Sequence, residues 1–352
     1  MSFPSMKPAT IEFPWSDPPG PGEMIEVADG VFWVRMPMPI SLDHINLWLI
    51  ADGDEWVVVD TGYGHDETCD LWRQLFTGAA SSRKPGRLIC THHHPDHFGQ
   101  AGWLEREYDI PVLMSEKEWL LGTLLVRLSD ERFAEDQDRF YDRNGVPKEL
   151  RHRLHAIGNE YRNRLGAPPD AFQRLRDGDT LSIGGRDWIV MMMEGHTEEL
   201  TGLYCPSLRV FIPGDQVLPK ITPNISVHWF MDGQEPLSDY LDSLDVIGEH
   251  LPEDTLVLPS HKLPFYGLHP RLADLQRHHQ DRLAGLIDAM ADGQARDAWQ
   301  LLPTIFPRAI EDEHVMFALG ESIAHLAHLV RLGKIDRLRE GGKVLYKIRN
   351  AA

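Results

Sequence analysis

The spacing of apolar residues changes three times along the chain, and each change predicts a different part of the architecture. From residue 24 they come in short alternating or continuous runs, VFWVRM, INLWLI and EWVVVD, with Asp52-Gly53 as a turn signal before the last. This predicts a β-meander in which PMPISLDH forms a loop between the first two strands. Residues 66–77 then read as a helix, RLIC as a strand, 98–107 as a helix and IPVLM as a strand.

From 115 to about 168 charged residues and leucines recur at helical spacing without a strand run, which predicts a helical insertion. Strand runs return at DTLSI, DWIVMMM, LRVFI and TLVLP, with a helix over 236–249 between the last two. Strand-rich segments on both sides of the insertion predict two halves of one α/β sandwich. After Pro270 helices are expected to about Met290 and over 294–302 and 311–331. GKIDRLREGGKVLYKI then alternates about Gly341-Gly342 as a hairpin, so residues 271–352 read as a winged-helix-like module. Residues 1–23 are Pro-rich with no continuous apolar run, so an irregular arm is expected, with no signal peptide or membrane span, in a cytoplasmic protein.

Charge narrows the partners. A formal net charge of -19 over 352 residues opposes a large phosphate-binding footprint. Lys334, Arg337, Arg339, Lys343, Lys347 and Arg349 are therefore expected to pack on their own domain or on a second subunit of a homodimer, not on nucleic acid. Cys69, Cys90 and Cys205 show no CxxC spacing and are expected to be reduced core thiols.

The candidate chemistry is concentrated in THHHPDH, residues 91–97, which puts four histidines and one aspartate into seven residues. A metal ion needs neutral nitrogens and carboxylate oxygens that converge on one point. Alternate residues of an extended segment face one side, so His92 and His94 can approach one ion while His93 points away. Pro95 biases His94 against helical geometry, and Asp96 and His97 follow across the turn, placed to reach a second ion. Four further strand runs end beside a potential ligand: Asp60, His196, Asp215 and His261. Side chains beyond strand ends can meet in one crevice.

Other residues leave alternatives open. His44 and the run His228-Trp229-Phe230 could line a substrate pocket or serve ordinary packing. Trp119, Leu120, Leu124 and Leu125 could cover an acyl-type substrate or form the core of the insertion. His278-His279, His325 and His328 lack an acidic or Cys partner at metal spacing and are expected at solvated helix positions. The proposed ligands all lie outside residues 115–168 and before residue 270, so neither insertion nor tail is expected to be needed to assemble a metal site.

HHHPDH fits the HxHxDH motif of the metallo-β-lactamase superfamily, and His196, Asp215 and His261 follow in the order of its remaining ligands, so residues 24 to about 269 resemble that family. The resemblance implies a four-layer αββα sandwich with one metal held by His92, His94 and His196 and a second by Asp96, His97 and His261. Asp215 would bridge them, and Asp60 in VVVDTG resembles the family's buried aspartate that orients ligands. Two divalent ions roughly 3.5–4 Å apart can share a hydroxide as nucleophile, with Asp96 orienting it or guiding a proton. Nitrogen and carboxylate ligands suit zinc, with manganese or iron as alternatives. His94 stands where the oxygen-reducing di-iron branch has Glu, which favours hydrolysis.

Branches of the family separate on details. The bridging Asp215 and the N-terminus argue against a secreted β-lactamase, and GHTEEL departs from the GHTPGH of hydroxyacylglutathione hydrolases. A lactamase-like core followed by such a tail resembles the β-lactamase-like hydrolases that include thioesterases and a single-strand endoribonuclease. Acyl-homoserine lactonases share the ligand set but are shorter and lack the tail. The expected function is a dinuclear metal hydrolase acting on a small ester, thioester or lactone. A metal-dependent ribonuclease is the runner-up, and a non-enzymatic winged-helix regulator is third.

Overall fold

The computed structural model describes residues 10–307 and 314–349. Its first sheet runs β1 (Ile25–Ala28), β2 (Val31–Pro37), β3 (His44–Asp52), β4 (Glu55–Val59), β5 (Lys84–Ile89), β6 (Val112–Met114) and β7 (Gln173–Arg174), in that spatial order. The strands are antiparallel through β4 and parallel beyond it. Asp52 pairs with Glu55 across a tight turn in which Gly53 takes a φ of 59°, a conformation glycine adopts without steric cost. On β3, Ile45, Leu47 and Leu49 face one side while Trp48 and Ile50 face the other, so the strand is buried on both faces.

The second sheet has the order β12-β11-β10-β9-β8, from β8 (Thr180–Ile183), β9 (Arg186–Met193), β10 (Leu200–Cys205), β11 (Val210–Ile212) and β12 (Leu256–Val257). β10 was not expected: LTGLYC carries neither clean alternation nor an apolar run, and it becomes a strand because β9 and β11 pair with both its edges. Trp33, Trp48, Val57, Trp188, Val190 and Leu203 fill the space between the sheets. α1 (Asp66–Thr77), α3 (Ala101–Tyr108) and part of the insertion cover the outer face of the first sheet. α8 (Pro236–His250) and α9 (Leu268–Ala289) cover that of the second, which completes a four-layer αββα sandwich.

The insertion is helical as expected: α4 (Glu116–Arg127), α5 (Asp130–Arg143), α6 (Lys148–His155) and α7 (Glu160–Asn163). Ser115 and Ser129 cap α4 and α5 by accepting from the backbone N–H three residues on. Leu120 and Leu124 are more than half exposed, so neither is core, while Leu125 one step round the helix is buried.

In the tail, α9 is followed by α10 (Ala298–Ile305), α11 (Val315–Arg331) and the hairpin β13 (Ile335–Glu340) with β14 (Lys343–Ile348). α10 starts later than its spacing predicted because Asp297 and Gln300 form a capping box. Part of the helix expected over 311–331 lies outside the described residues, as do residues 1–9 of the arm, whose Glu12 pairs with Tyr266. His279, His325 and His328 correct the expectation of solvated positions: all are buried, because tail and second sheet share one continuous core. Their Nδ1 atoms are met locally, while among the described residues His279 Nε2 is buried without a hydrogen-bond partner. His325 Nδ1 donates to the Glu321 carbonyl at 2.7 Å, and His279 Nδ1 lies 3.0 Å from His325 Nε2. Among the described residues no helix is long and apolar enough to cross a membrane.

Candidate metal centre

The proposed ligands meet at the same end of the two sheets. THHHPDH leaves β5 in an extended path, and His94, with φ -58° and ψ 149°, caps the short helix α2 (Pro95–Phe98) that carries Asp96 and His97. His196, Asp215 and His261 arrive from the loops after β9, β11 and β12. Gly195 makes the first of these turns at a φ of 104°, where a Cβ would lie 2.5 Å from backbone atoms of Tyr240. The ligand atoms of His92, His94 and His196 lie within 4.8 Å of one another, as do those of Asp96, His97 and His261, and those of His92, His97 and Asp215.

Asp215 faces both groups. Its Oδ1 is 3.4 Å from His261 Nε2 and 3.5 Å from His97 Nε2, while its Oδ2 is 3.5 Å from His196 Nε2. Asp96 Oδ2 lies 3.3 Å from His261 Nε2.

A second ring of contacts fixes which nitrogen each imidazole offers. His97 Nδ1 donates to Asp60 Oδ2 at 2.8 Å, His196 Nδ1 to the Asn224 carbonyl at 2.9 Å, and His261 Nδ1 to the His44 carbonyl at 2.9 Å. Asp60 also accepts from Thr91 N and Thr91 Oγ1, at 2.7 and 2.8 Å, from a left-handed backbone with φ 63°. A non-glycine residue in that region is held there by its surroundings, here the Thr91 and His97 contacts.

These residues fit divalent ions. Among the described residues His97 Nε2, His196 Nε2 and Asp215 Oδ1 are buried without a hydrogen-bond partner, and they are atoms that a metal would take up. Burial holds His92 and His94 well below the ordinary histidine range, so both present neutral nitrogens. Burial also disfavours charge on His261, but Asp215 and Asp96 outweigh it and lift the group to about 10. The carboxylates thus call for positive charge where a cation would sit.

His93 turns away, with Nδ1 2.5 Å from Glu118 of α4. Glu118 is fully buried and also accepts from the backbone N–H of His93 at 3.0 Å and of Glu199 at 2.8 Å, so one carboxylate joins the two ligand-bearing loops. On the tail side, Asn224 donates to Glu321 at 3.1 Å, and Glu321 pairs with Arg282. Insertion and tail, which carry none of the proposed ligands, therefore both make contacts with the ligand loops. His279, Glu321 and His325 form another close cluster, but Arg282 already neutralises its carboxylate.

The candidate pocket residues divide. His228 and Trp229 line a cavity beside His94. His44 does not: its carbonyl orients His261 and its Nε2 accepts from Lys262 N at 3.0 Å. Trp119 also lies elsewhere, stacked on Phe172 with ring centres 4.6 Å apart, because Leu125 and not Trp119 occupies the inward face of α4. Asn46, Glu118, Asn224 and Glu321 were missed. Asn46 carries a signal, polarity inside the apolar run INLWLI, whereas Glu118 follows Glu116 and Lys117 and has none.

Comparison with known proteins agrees with this geometry. Residues 40–261 match the family model described as the metallo-beta-lactamase superfamily, and residues 283–348 match the metallo-beta-lactamase-like C-terminal domain. The chain belongs to the metallo-beta-lactamase superfamily. It is similar to the crystal structure of a beta-lactamase domain protein from Burkholderia ambifaria, with a TM-score of 0.89 and 36% identity over 96% of this chain and 98% of that one. The probable metallo-hydrolase YqjP of Bacillus subtilis is 23% identical over 91% of this chain and 98% of its own length. The human acyl-coenzyme A thioesterase MBLAC2 is 24% identical over 54% of this chain and 64% of its own.

Proposed function

We propose that the chain is a dinuclear, most readily zinc-dependent, hydrolase of a small ester, thioester or lactone. The observation that carries this reading is the position of Asp215, with one oxygen toward His97 and His261 and the other toward His196. Ions bound there would lower the pKa of water and polarise a substrate carbonyl. The protein's own part is then to hold the imidazoles in one tautomer, through Asp60, Asn224 and the His44 carbonyl, and to manage the proton. Asp96 is the residue suited to that, with its Oδ2 3.3 Å from His261 Nε2. That the relative MBLAC2 is an acyl-coenzyme A thioesterase supports keeping thioesters in the substrate set.

The pairing of the tail's basic residues supports a small substrate over RNA. Arg337 meets Asp232 at 2.7 Å, Lys343 meets Asp142 at 2.8 Å and Arg349 meets Asp336 at 2.5 Å, so these charges are spent within the chain. The order of α9, α10, α11 and the hairpin supports the winged-helix-like reading of the tail, packed on its own protein. The test is elemental analysis with turnover of a panel of lactones, thioesters, esters and single-stranded RNA. Close to two zinc ions per chain and chelator-sensitive acyl hydrolysis are expected. Turnover that survives complete metal removal, or salt-sensitive cleavage of RNA alone, would overturn the proposal.

A further inference from the structure

The cavity beside His94 is built from parts of the chain that the metal ligands do not use. Leu125 of α4 and Phe133 of α5 come from the insertion, Trp229 and Phe230 from the loop before α8, and Met316 and Phe317 from α11 of the tail. The His93-His94-Pro95 segment forms another side, so the cavity lies directly beside a proposed first-site ligand. The aromatic wall is braced: Trp229 meets Phe133 edge-on at 5.9 Å and Phe230 at 5.0 Å.

Its polar groups are committed elsewhere. Tyr161 donates its hydroxyl to the His93 carbonyl at 2.5 Å, and Arg164 pairs with Glu160 at 3.0 Å. Burial also keeps His228 uncharged, with its pKa drawn down to about 4. The wall thus offers a neutral, apolar surface and no free charge for an anionic group. The space amounts to about 80 Å³, several times the roughly 10–15 Å³ that one water needs on the same measure.

We propose that this cavity is the acyl subsite, that it accepts a short unbranched or single-ring apolar acyl group, and that Leu125 and Phe133 set its length limit. The proposal rests on the acyl-hydrolase reading above and adds the class of acyl group. Each methylene that enters should raise kcat/KM roughly fourfold until the space is filled. Beyond that point the chain clashes with the braced rings and the gain reverses.

The experiment measures kcat/KM for acyl thioesters and esters of two to ten carbons with the zinc-loaded protein, alongside Leu125→Trp, Phe133→Ala and the exposed-face control Leu120→Ser. For the native chain the optimum is expected at about four to six carbons, given the gain per methylene and the small space. Leu125→Trp should shift the optimum to the shortest acyl group and Phe133→Ala to longer ones, while Leu120→Ser keeps the native profile. The same length profile in Leu125→Trp and Phe133→Ala as in the native chain overturns the subsite. If no ester or thioester is turned over, the hydrolase reading fails separately, and calorimetry with hexanoate and acetate still decides the cavity. A hexanoate affinity at least tenfold weaker in Leu125→Trp, with acetate little changed, supports it, and equal weakening of both overturns it.

Discussion

The carbonyl oxygen of His44 accepts a hydrogen bond from Nδ1 of His261 at 2.9 Å, so the first residue of β3 orients a ligand 217 positions later in the chain. Asn46 reinforces the same link. Its side-chain amide donates to the Pro259 and Lys262 carbonyls, each at 2.9 Å, and its backbone N–H donates to the Ser260 carbonyl.

Asn46→Ala should therefore loosen the His261 loop while leaving His92, His94 and His196 in place. Affinity at the second site is expected to fall about 10–100-fold, the usual cost of losing support behind a ligand. Titration with a chromophoric zinc chelator would read the two affinities. An unchanged second-site affinity would show that the loop holds itself.

Glu118 has three acceptor contacts at a fully buried position, and no water can replace them without opening the insertion. Glu118→Ala leaves two backbone N–H groups and the His93 ring without that partner. Each buried donor left unsatisfied costs about 1–3 kcal/mol, and denaturant unfolding should show a loss of about 3 kcal/mol or more for the group. A loss below about 1 kcal/mol, the range of exposed pairs, would mean that the contact carries little of the loop geometry.

How much of this was legible depends on where the information lies. His92, His94, Asp96 and His97 sit in seven consecutive residues, and the other ligands each follow an apolar run, so local pattern was enough to collect them. α1 was equally plain, because Trp72, Leu75 and Phe76 recur at helical spacing. Asn46, Glu118 and Glu321 were hidden because most of their partners are backbone groups or side chains distant in sequence, which leave no spacing to read. His279 and His325 escaped for a related reason: a buried imidazole whose Nδ1 meets another imidazole has no motif.

The tail reaches the first site through Glu321, which holds Asn224 at 3.1 Å while the Asn224 carbonyl holds His196 at 2.9 Å. Glu321→Ala also strands the Arg282 guanidinium at a largely buried position. If zinc occupies the proposed first site, its release to excess chelator is expected to quicken by about tenfold, within the range found for lost outer support. Deleting residues 281–352 should give insoluble protein, because α9, α11 and the outer face of the second sheet share one core. A soluble truncated protein that retains both ions would refute the structural role assigned to the tail.

The buried pair His279 and His325 makes stability depend on pH. Burial draws their pKa values down to about 2 and about 3, and the neighbouring His278, His328 and Arg282 push in the same direction, while the Glu321 carbonyl alone favours charge on His325. Both imidazoles are thus neutral in the folded protein, whereas each would titrate near about 6.5 in the unfolded chain. Above that value neither state gains a proton and the pair has no pH-linked effect. Below it the unfolded chain binds protons that the folded one refuses, so stability falls as pH falls, by about 1.4 kcal/mol per pH unit for each group. For two groups this amounts to about 3 kcal/mol at pH 5.5, a large part of the roughly 5–15 kcal/mol that holds a domain together. Acid would also release ions held by the proposed ligands, so the measurement must separate the two effects. His279→Phe removes one titrating group and frees His325 Nε2 to accept a proton, and both changes reduce the acid penalty. Denaturant unfolding at pH 7.5 and 5.5 should show a drop in the variant smaller by at least about 1.4 kcal/mol than in the native chain. Equal drops would place the acid sensitivity in the metal centre alone.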